Sequence, residues 1–336
     1  MKKIFAFIVL CLSIFIFGCS FIPTQNTYYS VTFEYDESKV QITKSGIKNS
    51  EEKYYGDVEI SFIGINGYLF DYAIETYSNT MVYEEEFIIE GIARDYNYQV
   101  FMKKDMDSAL SEYYGGISSS LSGSSLKNAL RNLITTTHTY KTTYDDCKKL
   151  SYISKTDGDP NKEGYIILFW SNISIPCLWD NGTTWNREHV WPQSQGWFNT
   201  SGAGSDLHHI RPTDPSVNTS HGNDPYADLI SGSYVKTSSK NGSIKTECLK
   251  GSGYFEPADN RKGDTARIIF YLLTRYPDSD KYSITKVAQS MDLLLKWNDL
   301  DPVDQLEINR NNEVYKIQGN RNPFIDNSDY ADMIWG

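Results

Sequence analysis

The chain has 336 residues, 40% apolar and 22% charged, with a formal net charge of −11. That length admits two domains, and that composition belongs to a globular protein with a core, which excludes low-complexity and collagen-like chains. The net charge argues against a surface that grips polyanions all over, but it is uneven: Phe21 to Asp107 carries 16 acidic against 7 basic residues, and apart from Lys2 and Lys3 the part from Ser108 onward keeps only −4.

Residues 1–19 show two lysines, an apolar run too short for a comfortable membrane span, and Gly18 before Cys19. This is the layout of a bacterial lipoprotein-type signal peptide with a lipobox. The expectation is acylation of Cys19 and a mature chain tethered by lipid to the extracellular face of the cell membrane, or a secreted chain where the signal is cut without lipidation. Cys147, Cys177 and Cys248 then remain, with no CxxC spacing; a disulfide is optional and a zinc site built on cysteine is not indicated.

Residues 20–104 begin with a short tether and continue as YSVTFEY, KVQIT, DVEISFI, YLFDYAI, EFIIEGIA and YNYQVFM, alternating segments separated by Gly, Asn, Asp and Ser. The pattern predicts a small all-β module, an immunoglobulin-like sandwich serving as spacer or adhesion unit. Glu84, Glu85 and Glu86 read as a solvated edge.

Residues 105–336 form the second expected domain. Ser124 or Ser125 caps a predicted helix carrying Leu126, Ala129, Leu130, Leu133 and Ile134, with His138 as a surface residue at its end. Asp157 to Asn161 reads as a turn, and Tyr165 to Trp170 as a strand. Phe255 to Pro277 predicts a helix with Ala266, Ile269, Leu272 and Leu273 inward; Ser283 to Leu300 predicts a second; Asp301–Pro302 opens a third, ending at Gly319, and the run after it is loop-like.

Between these lies Thr183 to Leu229, holding four of the five histidines (His189, His208, His209, His221) beside Glu188, Asp206, Arg211 and Asp214. A segment so rich in ligand-type side chains reads as an active site. Glu188, His189 and Asn218 bring a carboxylate, an imidazole and an amide oxygen, which suits a hard cation next to a general base. Asp214 and Pro215 predict a helix start that puts Asn218 on the first turn, facing a hairpin of NREHVWP and SDLHHIRP. Adjacent strand residues point to opposite faces, so Glu188 and His189 can share a site only near a bend.

The motifs NREHVWP, SDLHHIRP, DPSVN and HGN, in that order, resemble the signature of the endonuclease I family, nucleases of the ββα-metal (His-Me finger) class; FEPADNRKGDTARIIFYLLTRYP and INRNNEVYKIQGNRNPFID extend the resemblance from about Leu110 to the C-terminus. The resemblance implies an α+β ββα-metal nuclease domain with scaffold helices. It implies Glu188 and Asn218 as the protein ligands of one Mg2+, replaceable by Mn2+, and His189 as the base that activates water, leaving 5′-phosphates on DNA and possibly RNA. Asp206 and His208 fall where the family has D-x-H and are expected to support the ligands; Arg211, Asn223 and Arg267 are further candidates for support or phosphate contact. His209 stands where an asparagine is expected and His221 where an arginine is common. Arg187, Arg211, Arg261, Lys262, Arg267, Arg310 and Arg321 are the candidates for a basic groove. Two other readings are weighed: a surface-anchored nucleic-acid-binding or adhesion lipoprotein with a vestigial nuclease fold, against which Glu188, His189 and Asn218 are all present, and a zinc hydrolase using His208, His209 and His221, whose spacing does not suit it.

Overall fold

A computed structural model describes residues 26–336 apart from 67, 105 and 197. The signal peptide, lipobox and Cys19 lie outside the described residues. The chain divides into two compact units, the first ending at Glu112 and the second starting at Tyr113. That division falls beyond the expected 104/105 boundary, inside a helix.

In the first unit, strands β1 (Val31–Glu34), β2 (Val40–Lys48), β3 (Tyr54–Gly64), β4 (Tyr68–Glu75), β5 (Thr80–Val82), β6 (Glu86–Ile89) and β7 (Tyr96–Lys104) form two sheets, ordered β1-β7-β4-β5 and β2-β3-β6. Alternation explains the packing: Val58, Ile60 and Phe62 of β3 turn inward, every second residue, to meet Phe70, Ala73 and Tyr98 of the other sheet. Phe62 stacks on Phe70 with centroids 4.5 Å apart. The short β5 was not legible because Thr80–Val82 is too brief to alternate. Glu84, Glu85 and Glu86 are exposed, as expected of an edge.

The second unit contains helices α1 (Met106–Tyr114, which begins before the boundary), α2 (Gly123–Thr136), α3 (Leu150–Thr156), α4 (Pro215–His221), α5 (Lys262–Arg275), α6 (Met291–Leu300), α7 (Gln305–Gln318), α8 (Pro323–Asp326) and α9 (Tyr330–Trp335). Its strands are β8 (Tyr165–Ile167), β9 (Ser174–Pro176), β10 (Asn186–His189), β11 (Ile210–Thr213), β12 (Ser233–Lys236), β13 (Lys245–Gly251) and β14 (Tyr254–Glu256), paired β8-β9, β10-β11 and β12-β13-β14. The unit is mixed α+β.

Several boundaries differ from expectation for local reasons. α2 starts two or three residues early, with Ser122 at its N-cap in place of Ser124 or Ser125. The predicted helix from Ser283 is a 3-10 turn at Ile284–Lys286 followed by α6, whose N-cap Ser290 accepts from the Leu293 amide. α7 is capped by Asp304 instead of Asp301, because Asp304 can accept from Glu307 N. It does end at Gly319, whose φ of +85° suits a helix terminus that a β-carbon would strain. The run after it, read as a loop, contains α8 and α9.

α5 has no solvent face: all of its residues are buried, not only the apolar stripe. Its charges are paired inside, Asp264 with Arg261 (2.7 Å) and Arg267 with Glu307 (Nε–Oε1 2.8 Å). Around it collect Trp170, Trp191, Phe255 and Trp297. This helix is the post on which the following site is hung.

Candidate active site

β10 and β11 pair antiparallel, with Glu188 opposite Arg211 and His189 opposite Ile210. Asp214 then caps α4, accepting from Ser216 N (2.8 Å) and Val217 N (3.1 Å) while Pro215 takes the first helical position. The cap is itself held, since Asp214 also accepts from Ser238 N and Asn241 Nδ2. Asn186 and Glu188, two apart on a strand, share one face; Asn218 and His221, three apart on a helix, share another. The two faces meet pairwise: Asn218 Nδ2 donates to Asn186 Oδ1 (2.8 Å) and His221 Nδ1 donates to Glu188 Oε1 (2.6 Å). Asn218 thereby spends its amide hydrogens on the hairpin and keeps Oδ1, and Glu188 keeps Oε2, so two hard oxygen donors remain on adjoining elements. One carboxylate and one amide are a sparse set that water must complete, as Mg2+ allows. Among the described residues no group of three or more His, Cys, Asp or Glu is arranged to hold a metal.

His189 closes β10 and lies between the rings of Tyr144 and Phe198, with centroids at 5.5 and 5.7 Å. Its Nε2 is 3.0 Å from the carbonyl oxygen of Gly204. A carbonyl only accepts, so Nε2 carries the hydrogen and the neutral ring presents a lone pair at Nδ1. Burial lowers the His189 pKa below the ordinary histidine value, an effect that the Gly204 bond and Glu188 partly offset. The ring is therefore neutral at pH 7, the form a general base requires.

SDLHHIRP is not a strand along its length. His208 and His209 occupy a turn before β11, with His209 N and Ile210 N both donating to Asp206 O. Asp206 is buried and accepts from Tyr271 OH (2.6 Å), Tyr276 OH (2.7 Å), His208 N (2.9 Å) and Gln318 Nε2 (2.9 Å). Burial alone would raise its carboxyl pKa; His138, His208 and the hydrogen bonds outweigh it and hold the group well below the usual range. His208 Nε2 donates to Asn320 O, and burial pushes its pKa down to about 4. His209, fully buried, donates from Nδ1 to Ala203 O (2.7 Å) and accepts at Nε2 from Trp191 N (3.0 Å). Burial and the neighbouring His189 lower it to about 3. His209 thus braces the 203–206 turn against the segment that follows β10, near where Gly204 reaches His189. Zinc chemistry through His208, His209 and His221 has no geometric basis, since each ring is committed to a different partner.

The basic candidates need correction. All seven bond to acidic side chains: Arg187 to Asp145, Arg211 and Arg310 to Asp157, Arg261 to Asp264, Lys262 to Glu256, Arg267 to Glu307 and Arg321 to Asp326. Arg267 has no exposed surface and works as scaffold, so a phosphate contact is out of its reach. Arg211 is held by Asp157, a residue read only as part of a turn. Asn223 is exposed just past α4 and accepts from Ser194 Oγ. His138 is buried, its Nδ1 4.0 Å from Asp206, contrary to a surface position. Cys147, Cys177 and Cys248 are free and buried.

Tyr144, Asn186 and Gly204 were missed. Only Asn186 carried a signal, its spacing of two from Glu188 on the strand; Tyr144 and Gly204 reach His189 from loops whose approach no local pattern announces.

The family model described as Endonuclease I matches residues 122–329. An extracellular ribonuclease of Bacillus amyloliquefaciens is 36% identical over 253 residues, covering 68% of this chain and 80% of that protein. An extracellular ribonuclease of Bacillus subtilis (strain 168) is 37% identical over 246 residues, 66% of this chain and 78% of its own length. An extracellular deoxyribonuclease of Aeromonas hydrophila shares 35% identity over 65 residues, 19% of this chain and 26% of that protein. With the matched region spanning the hairpin, α4 and the scaffold helices, the chain belongs to the endonuclease I family.

Proposed function

We propose that this chain is an extracellular, metal-dependent endonuclease that hydrolyses phosphodiester bonds of RNA and DNA with little sequence preference and leaves 5′-phosphates. The observation that carries the reading is the orientation of three groups by their neighbours: Gly204 O fixes the hydrogen of His189 on Nε2, Asn186 turns the Asn218 oxygen outward, and His221 fixes the Glu188 carboxylate. Relatives named extracellular ribonuclease and deoxyribonuclease support the class of substrate and the location.

In this scheme Nδ1 of neutral His189 takes a proton from water as the water oxygen attacks phosphorus. The P–O3′ bond breaks, and the leaving 3′ oxygen takes a proton from solvent. Glu188 and Asn218 would hold one Mg2+, or Mn2+ in its place, supplying positive charge where the phosphate becomes more negative. Asp206, His208 and His209 position the turn that carries Gly204. Cys19, when acylated, tethers the chain to the outer face of the membrane, and the two-sheet unit is an immunoglobulin-like spacer. The test is incubation of the purified chain with plasmid, single-stranded DNA and RNA. Cleavage in Mg2+ that chelator abolishes is expected; undiminished cleavage after exhaustive chelation would overturn the metal assignment.

A further inference from the structure

A cavity of about 250 Å³ opens beside the C-terminus of α3, lined by Asp157, Lys155, Asn309, Arg211, Arg261 and Arg310 among others. The three arginines are 9%, 4% and 5% exposed. Asp157 Oδ1 accepts from the Nε of both Arg211 (3.1 Å) and Arg310 (3.0 Å), so one carboxylate oxygen holds two guanidinium groups by the same edge. That leaves their other edges. Arg211 Nη1 and Nη2 bond no protein acceptor among the described residues; Arg310 gives Nη2 to Ile210 O and keeps Nη1; Arg261 gives Nε to Asn172 and Nη1 to Asp264 and keeps Nη2. The Arg211 plane lies 4.3 Å over the Phe169 ring, which fixes its orientation.

Bracing of the fold explains the Nε contacts but not the remaining N–H groups at the cavity, which lose hydrogen bonds unless something there accepts them. The lining holds Lys155 and the three arginines against Asp157 and Asp159, with Asp264 pairing Arg261 from behind, which leaves one positive charge in excess in a chain of −11. Burial, with Arg310 beside it, lowers the Arg211 pKa to about 10, against the opposing effect of Asp157 and Asp264. Planar guanidinium forks fit the oxygens of phosphate in a way that a point charge does not. The cavity has room for a phosphate group.

We propose that Arg211, Arg261 and Arg310 form a second phosphate-binding site. Arg211 stands directly across the hairpin from Glu188, so the site shares its strand pair with the candidate metal ligand. Resting on the nuclease reading above, the phosphate is either a backbone phosphate of the substrate strand away from the cut or the 5′-phosphate of a product.

The experiment titrates the chain in chelator, by calorimetry, with inorganic phosphate, a DNA tetranucleotide lacking terminal phosphate, and the same tetranucleotide with a 5′-phosphate. Wild type is compared with Lys155→Glu and Asn309→Asp, which place carboxylates at the rim without touching Asp157, and with Arg211→Lys. We expect phosphate binding that weakens at least ~10-fold in each variant while the unfolding midpoints of the rim variants stay at the wild-type value. Equal binding of both tetranucleotides identifies the backbone source, and preference for the phosphorylated one identifies the product source. Failure of wild type to bind phosphate, or affinity unchanged in the rim variants, overturns the site. Plasmid cleavage in Mg2+ by the same preparations separates the two ideas: cleavage without phosphate binding sinks this site alone, and binding without cleavage sinks the nuclease reading alone.

Discussion

Asp206→Asn is the substitution whose consequences the structure fixes most tightly. The native carboxylate takes two tyrosine hydroxyls on Oδ2 and Gln318 Nε2 with His208 N on Oδ1, all between 2.6 and 2.9 Å. Hydrogen bonds to a charged group are worth about 1.5–3 kcal/mol each. An asparagine keeps the Oδ1 pair at neutral strength and turns an NH2 group toward the two hydroxyls. Tyr271 OH already receives Asn320 Nδ2, so its freedom to turn and accept is limited. The expected loss is about 2–4 kcal/mol, a large share of the ~5–15 kcal/mol that holds a domain together. Urea unfolding of wild type, Asp206→Asn, Tyr276→Phe and the double variant measures it; the cycle should give a coupling of at least ~1 kcal/mol between Asp206 and Tyr276. Because Asp206 pins the turn that presents Gly204, cleavage by the folded fraction should fall as well. A single variant within ~0.5 kcal/mol of wild type, with no coupling, would refute the reasoning.

Stability should fall with acid even before the carboxylates titrate. His208 and His209 have folded pKa values near 4 and 3 against about 6.5 unfolded. Between those values the unfolded chain binds more protons, so their contribution is full above pH 6.5 and is lost as pH drops; unfolding free energies from urea titrations at pH 7 and 5 should differ by on the order of 4 kcal/mol, and equal stability would contradict the buried neutral pair. Gly204→Ala should displace the turn, since a β-carbon there would sit 1.5 Å from Asn199 O; about a tenfold loss of cleavage with a lower unfolding midpoint is expected, against which a fully active variant would count. Cys19→Ala should release the protein from the membrane fraction or leave unprocessed precursor without altering specific activity; wild-type chain found wholly in the medium with an N-terminus beyond Cys19 rules out the anchor.

The hairpin and α4 were legible because their signals are local: Asp214 and Pro215 mark a helix start, and the order of the motifs carries the rest. The strands of the first unit were legible by alternation, although the parallel pairing of β1 with β7 was not, since strand order leaves no trace in periodicity. What escaped is long-range. Asp157 and Arg310 are 153 residues apart and meet in the interior, so a residue that reads as a turn proves to anchor two arginines. The same holds for Arg267 and Glu307: a lone arginine on a predicted helix resembles a phosphate contact until its buried partner is known. Asp301 followed by Pro302 reads as the start of α7, yet Asp304, three residues on, is the one whose carboxylate reaches its N3 amide.

The division of labour between His189 and Glu188 is the central claim, and one comparison tests it. Cleavage of plasmid and RNA is measured across Mg2+ concentration for wild type, His189→Ala and Glu188→Ala, alongside Mn2+ binding by calorimetry. His189→Ala should lose roughly 10²–10⁴ in rate, bind metal as wild type does and gain nothing from added Mg2+, whereas Glu188→Ala should bind metal weakly and recover in part at high Mg2+. A His189→Ala variant that cleaves within tenfold of wild type, or that excess Mg2+ restores, would contradict the account.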